Sequence, residues 1–110
     1  MEDVVLICRL NTELKVLNNI KKQLKNEEIE RGDLLILDAI KKYIEAYGWD
    51  NFRNSKQHRV QYNTKTNEGS FFINRRRNGN VIRGIFKISK IKDEIVIELL
   101  LIRIESNFYG

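Results

Sequence analysis

The sequence predicts an α+β fold: an N-terminal strand and two helices, then an antiparallel sheet of three to four strands, in a single domain over residues 1–110. Three observations carry this. Apolar residues recur every three to four positions between Leu14 and Tyr47, and the spacing shortens to two from Val60 onward. Asn78-Gly79 separates two runs of strand character. Near the C-terminus, Glu94 to Ile104 (EIVIELLLIRI) is mainly apolar and rich in isoleucine.

Val4 to Leu10 (VVLICRL) has the length and β-branched content of a strand, and Asn11-Thr12 then offers a helix N-cap. Leu14, Leu17, Ile20, Lys21 and Leu24 form a stripe at helical spacing, which predicts an amphipathic helix over 13–25. Either Asn26 or Gly32-Asp33 ends it. From Asp33, a good N-cap, the spacing of Ile36, Leu37, Ile40, Tyr43, Ile44 and Tyr47 predicts a second helix closed by Gly48 at C′. Residues 50–58 (DNFRNSKQH) are polar and read as a loop, with His58 at the surface; Trp49 is a core plug and Val60 with Tyr62 a short strand. Ser70–Arg77 and Asn80–Ile88 then form a hairpin.

A two-residue turn at Asn78-Gly79 would place Arg76 opposite Val81, Asn74 opposite Arg83 and Phe72 opposite Ile85. Phe71, Ile73, Ile82, Phe86 and Ile88 would face the helices, leaving Arg76, Arg83 and Lys87 on the other face beside Phe72, with Arg75 snorkelling outward. The apolar character of Glu94–Ile104 predicts a central strand covered on both faces. Whether Arg103 shares a face with Arg83 depends on the connection before it: an odd number of residues brings them together, an even number parts them. Lys90-Ile91-Lys92 lacks the Gly or Asn of a two-residue turn and favours three or five.

Charge is distributed unevenly. Residues 51–92 carry 11 basic and 1 acidic side chains, whereas residues 1–50 carry 8 and 10. A phosphate-rich partner is drawn to such a segment. Cations on a sheet beside an aromatic can hold phosphates and stack a base. Arg75, Arg77, Lys87 and Phe72 are therefore candidate nucleic-acid contacts, although three arginines beside a turn also serve as a solvated edge. One cysteine, Cys8, forms no intrachain disulfide and reads as core; with a single histidine, no metal site or cofactor is expected. The acidic start Met1-Glu2-Asp3 lacks a secretory pattern, and no apolar run reaches membrane-span length. The expected location is the cytoplasm, with no membrane partner.

The stretch SFFINRRRNGNVIRGIFKISKIKDEIVIELLLIRIESNFY, residues 70–109, resembles the RelE/ParE toxin superfamily, and most closely its RelE-like mRNA interferases. The resemblance rests on Arg76, Arg83 in VIRGIF, Asp93-Glu94 at a turn, Arg103 in LIRIES, and Tyr109. It departs from the family at Asn74, where another lysine is common. The resemblance implies a metal-independent, toxin-type endoribonuclease that cleaves messenger RNA at the ribosome by 2′-hydroxyl attack on the adjacent phosphate, restrained by an acidic antitoxin. Arg76, Arg83 and Arg103 would stabilise the pentavalent phosphate, and Tyr109 would orient the RNA. Two other readings fit the same basic face: a non-catalytic nucleic-acid-binding regulator, and an inhibitor docking on an acidic protein surface.

Overall fold

The structure, a computed structural model, describes residues 7–106. In chain order the elements are β1 (Ile7–Thr12), α1 (Leu14–Lys25), α2 (Arg31–Arg53), β2 (Gln61–Asn63), β3 (Glu68–Arg75), β4 (Val81–Ile91) and β5 (Glu94–Glu105). The strands make one five-stranded sheet in the order β1-β5-β4-β3-β2. The α+β class is the one expected, but the sheet is mixed. β2 to β5 pair antiparallel, whereas β1 lies parallel to β5 with Leu10 opposite Ile97. Parallel pairing needs a long crossover, and the chain between β1 and β5, helices included, supplies it.

β1 is described from Ile7, with Val4, Val5 and Leu6 of the expected strand outside the described residues, and runs through Asn11 and Thr12, the expected caps; Glu13 is the N-cap of α1. Val16 and Ile20 are the buried residues of α1, while Leu14 and Leu17 from the expected stripe are exposed. The helix is turned this way because it runs beside β5 past the point where β1 stops pairing, at Leu99. There Gln23 Nε2 donates to the Ile102 carbonyl at 2.8 Å, satisfying part of an otherwise open sheet edge.

α2 starts at Arg31, and Asp33 is not its N-cap but lies inside the first turn, where its carboxylate accepts the Glu30 backbone N–H at 2.8 Å. Ile40 and Ile44 are its buried apolar residues before the backbone breaks at Gly48, whose φ of 82° is a conformation open to glycine. A short helical turn follows, so 49–53 is not loop. It drives Phe52 into the core. Phe52 meets Phe71 edge-on at 5.6 Å, and Trp49 reaches Tyr62 and Phe86 at 5.0 and 5.9 Å, as a plug between helix and sheet. Truncating a buried phenylalanine of this kind to alanine costs about 3–5 kcal/mol.

His58, expected at the surface, is buried between Tyr43 and Phe52, with Nδ1 2.7 Å from Ser55 Oγ. Burial lowers its pKa below 6.5. Cys8 is core as expected, and burial, aided by the charge of Glu45, raises its thiol to about 11.

Phe71, Ile73, Ile82, Phe86, Ile97 and Ile102 join the cluster that packs against the helices. β5 is interior, but β4 holds the centre, and β5 is not covered on both faces. Its helix-side Leu99 and Ile102 are buried while Leu101 and Arg103 are exposed. Among the described residues, no helix covers the second face, which is normal for antiparallel sheets. No helix among the described residues is long and apolar enough to cross a membrane.

Candidate nucleic-acid interface

Two irregularities in the sheet decide where the arginines point. The β3–β4 turn is not the expected two-residue one. Gly79 N–H donates to the Arg76 carbonyl at 3.0 Å and Arg76 N–H to the Asn80 carbonyl at 2.7 Å, giving a three-residue loop, Arg77-Asn78-Gly79. Gly79 takes φ 90° and Asn78 has ordinary negative φ. A register shift between Phe72 and Asn74 leaves Ile73 as the extra residue. Phe72 consequently pairs with Arg83, and Asn74 with Ile82, in place of the expected partners.

Arg76 is thereby carried to the helix side. Its Nη2 lies 2.6 Å from Asp33 Oδ2 and 3.3 Å from the Glu28 carbonyl, and its Nη1 lies 3.3 Å from Glu30 Oε2. Asn74 Nδ2 donates to the other Asp33 oxygen at 2.8 Å. The Asp33 side chain is 1% exposed, so a buried carboxylate is neutralised by one arginine and hydrogen-bonded on both oxygens. The expected grouping of Arg76 with Arg83 is overturned: the two lie on opposite faces of the sheet, and Arg76 ties the hairpin to the start of α2.

Arg83 and Arg103 are brought together. The β4–β5 turn is Lys92-Asp93, two residues rather than three or five, and Lys92 tolerates φ 55°. An even turn alone would part the arginines. A second register shift, which leaves Leu100 as an extra residue in β5, restores the parity and sets Arg103 directly opposite Arg83. Phe72, Arg83 and Arg103 thus form one row across three strands on the open face.

Arg59, which sequence reasoning missed, extends the row: its guanidinium carbon sits 5.0 Å from the centre of the Phe72 ring. Phe72 N–H donates to the His58 carbonyl at 2.7 Å, and this contact lays the segment against β3. Nothing in the pattern QHRV signals it except charge.

The Arg83 side chain is 18% exposed, yet its Nη1 is buried with no hydrogen-bond partner among the described residues. The Glu105 carboxylate stands close by, its Oε1 4.0 Å from Arg83 Nε and 4.0 Å from Arg103 Nη1. Those distances allow Coulombic attraction but no hydrogen bond. Two guanidiniums opposite each other repel, and the one that is mostly buried lacks acceptors. Such an arrangement suits an anion with several oxygens, to which each guanidinium donates along its fork. Arg103 also borders a shallow depression of about 460 Å³ shared with Gln61, Asn63, Ser70 and Ile85, room for the groups attached to that anion.

The other expected contacts divide. Arg75 and Arg77 are exposed at the hairpin end, Arg75 in the row of Val81 and Glu105. Lys87 is exposed but stands between Glu68 and Glu98, which offset its charge. Tyr109 lies outside the described residues. Among the described residues, no three His, Cys, Asp or Glu side chains gather as they would around a metal. Comparison with family models, with curated proteins and with solved structures finds no match, so the chemistry of this face must be read from its own geometry.

Proposed function

We propose that the open sheet face binds RNA at Arg83 and Arg103 and that the protein is a toxin-type endoribonuclease acting on messenger RNA in the cytoplasm. The observation that supports this best is the cross-strand arginine pair with a buried Nη1 that has no partner among the described residues. A scissile phosphate between the two guanidiniums would gain negative charge on its oxygens as the 2′-hydroxyl attacks. Fixed donors that meet this charge lower the barrier more than they tighten ground-state binding. Phe72 and Arg59 would receive a flanking base, and Arg75 a neighbouring phosphate. Action at the ribosome and restraint by an acidic antitoxin belong to the same proposal, on the resemblance of the Arg83–Arg103 stretch to RelE-like enzymes.

The test is RNA cleavage by purified protein, with and without ribosomes. Arg83→Ala and Arg103→Ala should each lower the rate by about 10² or more, the loss expected when a preorganised donor to a developing oxyanion is removed. The Phe72–Arg59 contact favours a second reading, RNA binding without cleavage, since stacking and phosphate contacts require no acid or base. Binding that weakens with salt at a log-log slope of about −3, for four phosphate contacts to a single strand, together with no cleavage under any condition, would select that reading.

A further inference from the structure

We infer that Glu105 shifts the preference of the Arg83–Arg103 site away from a terminal phosphate monoester and toward an internal phosphodiester, compared with the same site without its charge, an inference that rests on reading the pair as a phosphate site. Glu105 follows Arg103 by two residues on β5, so all three side chains share the open face. Its carboxylate stands 4.0 Å from a nitrogen of each arginine. At that distance it leaves the donors free and still acts on any charge held between them. With its side chain 41% exposed, Glu105 contributes little to folding as an ion pair. Its consequence lies in the charge of the site.

Two guanidiniums and one carboxylate leave less net positive charge than the guanidiniums alone, so a dianion gains less over a phosphodiester monoanion than it would without Glu105. A monoester carries nearly two negative charges above its second pKa of about 6. The additional charge then faces Glu105 as well as the arginines. Repulsion by a fixed carboxylate grows in proportion to the ligand's charge, so the dianion is penalised about twice as strongly in free energy, or as the square in affinity. The other charges on this face, Arg59 beyond Phe72, Arg75 separated from Glu105 by Val81, and Lys87 flanked by Glu68 and Glu98, act on the ligand whether or not Glu105 is charged and leave the change on its removal intact.

The test compares a dinucleoside monophosphate, adenylyl-adenosine, with adenosine 5′-monophosphate at pH 7.5, following the backbone amide resonances of Arg83 and Arg103. The ratio of monoester to diester affinity should be lower in the wild type than in Glu105→Gln. Glu105→Gln should strengthen the diester about fivefold and the monoester by the square of that, about 25-fold, from removal of a partly exposed charge. Glu105→Asp, which keeps the charge, should keep the wild-type preference. Equal strengthening of both ligands by Glu105→Gln, or a stronger gain for the diester than for the monoester, overturns the selectivity and leaves the phosphate site standing. Absence of response to either ligand in all three proteins overturns the phosphate site and the selectivity with it.

Discussion

Arg76 and Arg83 lie on either side of one hairpin loop, and their surroundings are opposite. Arg76 meets a buried carboxylate at 2.6 Å, a backbone carbonyl and a second carboxylate. Arg83, on the other face, has one nitrogen buried without a partner among the described residues and the Glu105 carboxylate at 4.0 Å. Their side chains are almost equally exposed, 19% and 18%, so burial does not separate them. What separates them is satisfaction. The helix side of the sheet is closed and its polar groups are paired, which is how a fold is held. The open side keeps donors in reserve, which is how an anion is bound.

The comparison breaks most visibly on the closed side. Asp33→Ala removes the carboxylate shared by Glu30, Asn74 and Arg76 and leaves the Arg76 charge only the exposed Glu30 carboxylate as partner. Breaking a buried pair in this way should cost about 3–5 kcal/mol, measured by chemical denaturation. Gly84→Ala comes next. A Cβ at Gly84 would run into the ring of Phe71, itself fully buried, so the closed layer must shift although Arg83 next door is untouched. Overpacking of this sort should destabilise by about 1–3 kcal/mol.

Several of these features could be read from the residues and several could not. Helical spacing located α1 to within a residue of its start, placed Ile40 and Ile44 on the buried side of α2, and marked Gly48 as the break. Alternation placed Phe71, Ile82 and Phe86 together on the core side. Phe52 and His58 were hidden because their neighbours are polar, and tertiary packing rather than local pattern buries them. Neither Ile73 nor Leu100 carries a mark of the extra residue it contributes, since both are ordinary strand residues. Those two positions nonetheless set the facing of Arg76 and Arg103. The capture of Arg76 by Asp33 joins residues 43 positions apart, beyond what spacing can show.

A smaller effect sharpens the same contrast through pH. The closed layer holds His58, whose pKa burial lowers below its unfolded value of 6.5. The unfolded chain then binds more protons than the folded one between the two values. Stability should therefore be at its plateau above pH 6.5, fall as the pH drops through that window, and level off once folded His58 is also protonated. The loss should vanish in His58→Gln, read from denaturation midpoints between pH 7.5 and 5.

The most direct test places Arg76→Ala and Arg83→Ala side by side, with the unfolding free energy and the affinity for a short single-stranded RNA at low salt measured on each. Arg76→Ala should lose about 3 kcal/mol of stability while its folded fraction binds RNA like the wild type. Arg83→Ala should unfold within about 1 kcal/mol of the wild type and bind at least about tenfold more weakly, as expected for loss of charged hydrogen bonds. The account is contradicted if Arg83→Ala binds RNA as tightly as the wild type, or if folded Arg76→Ala is the variant that loses it.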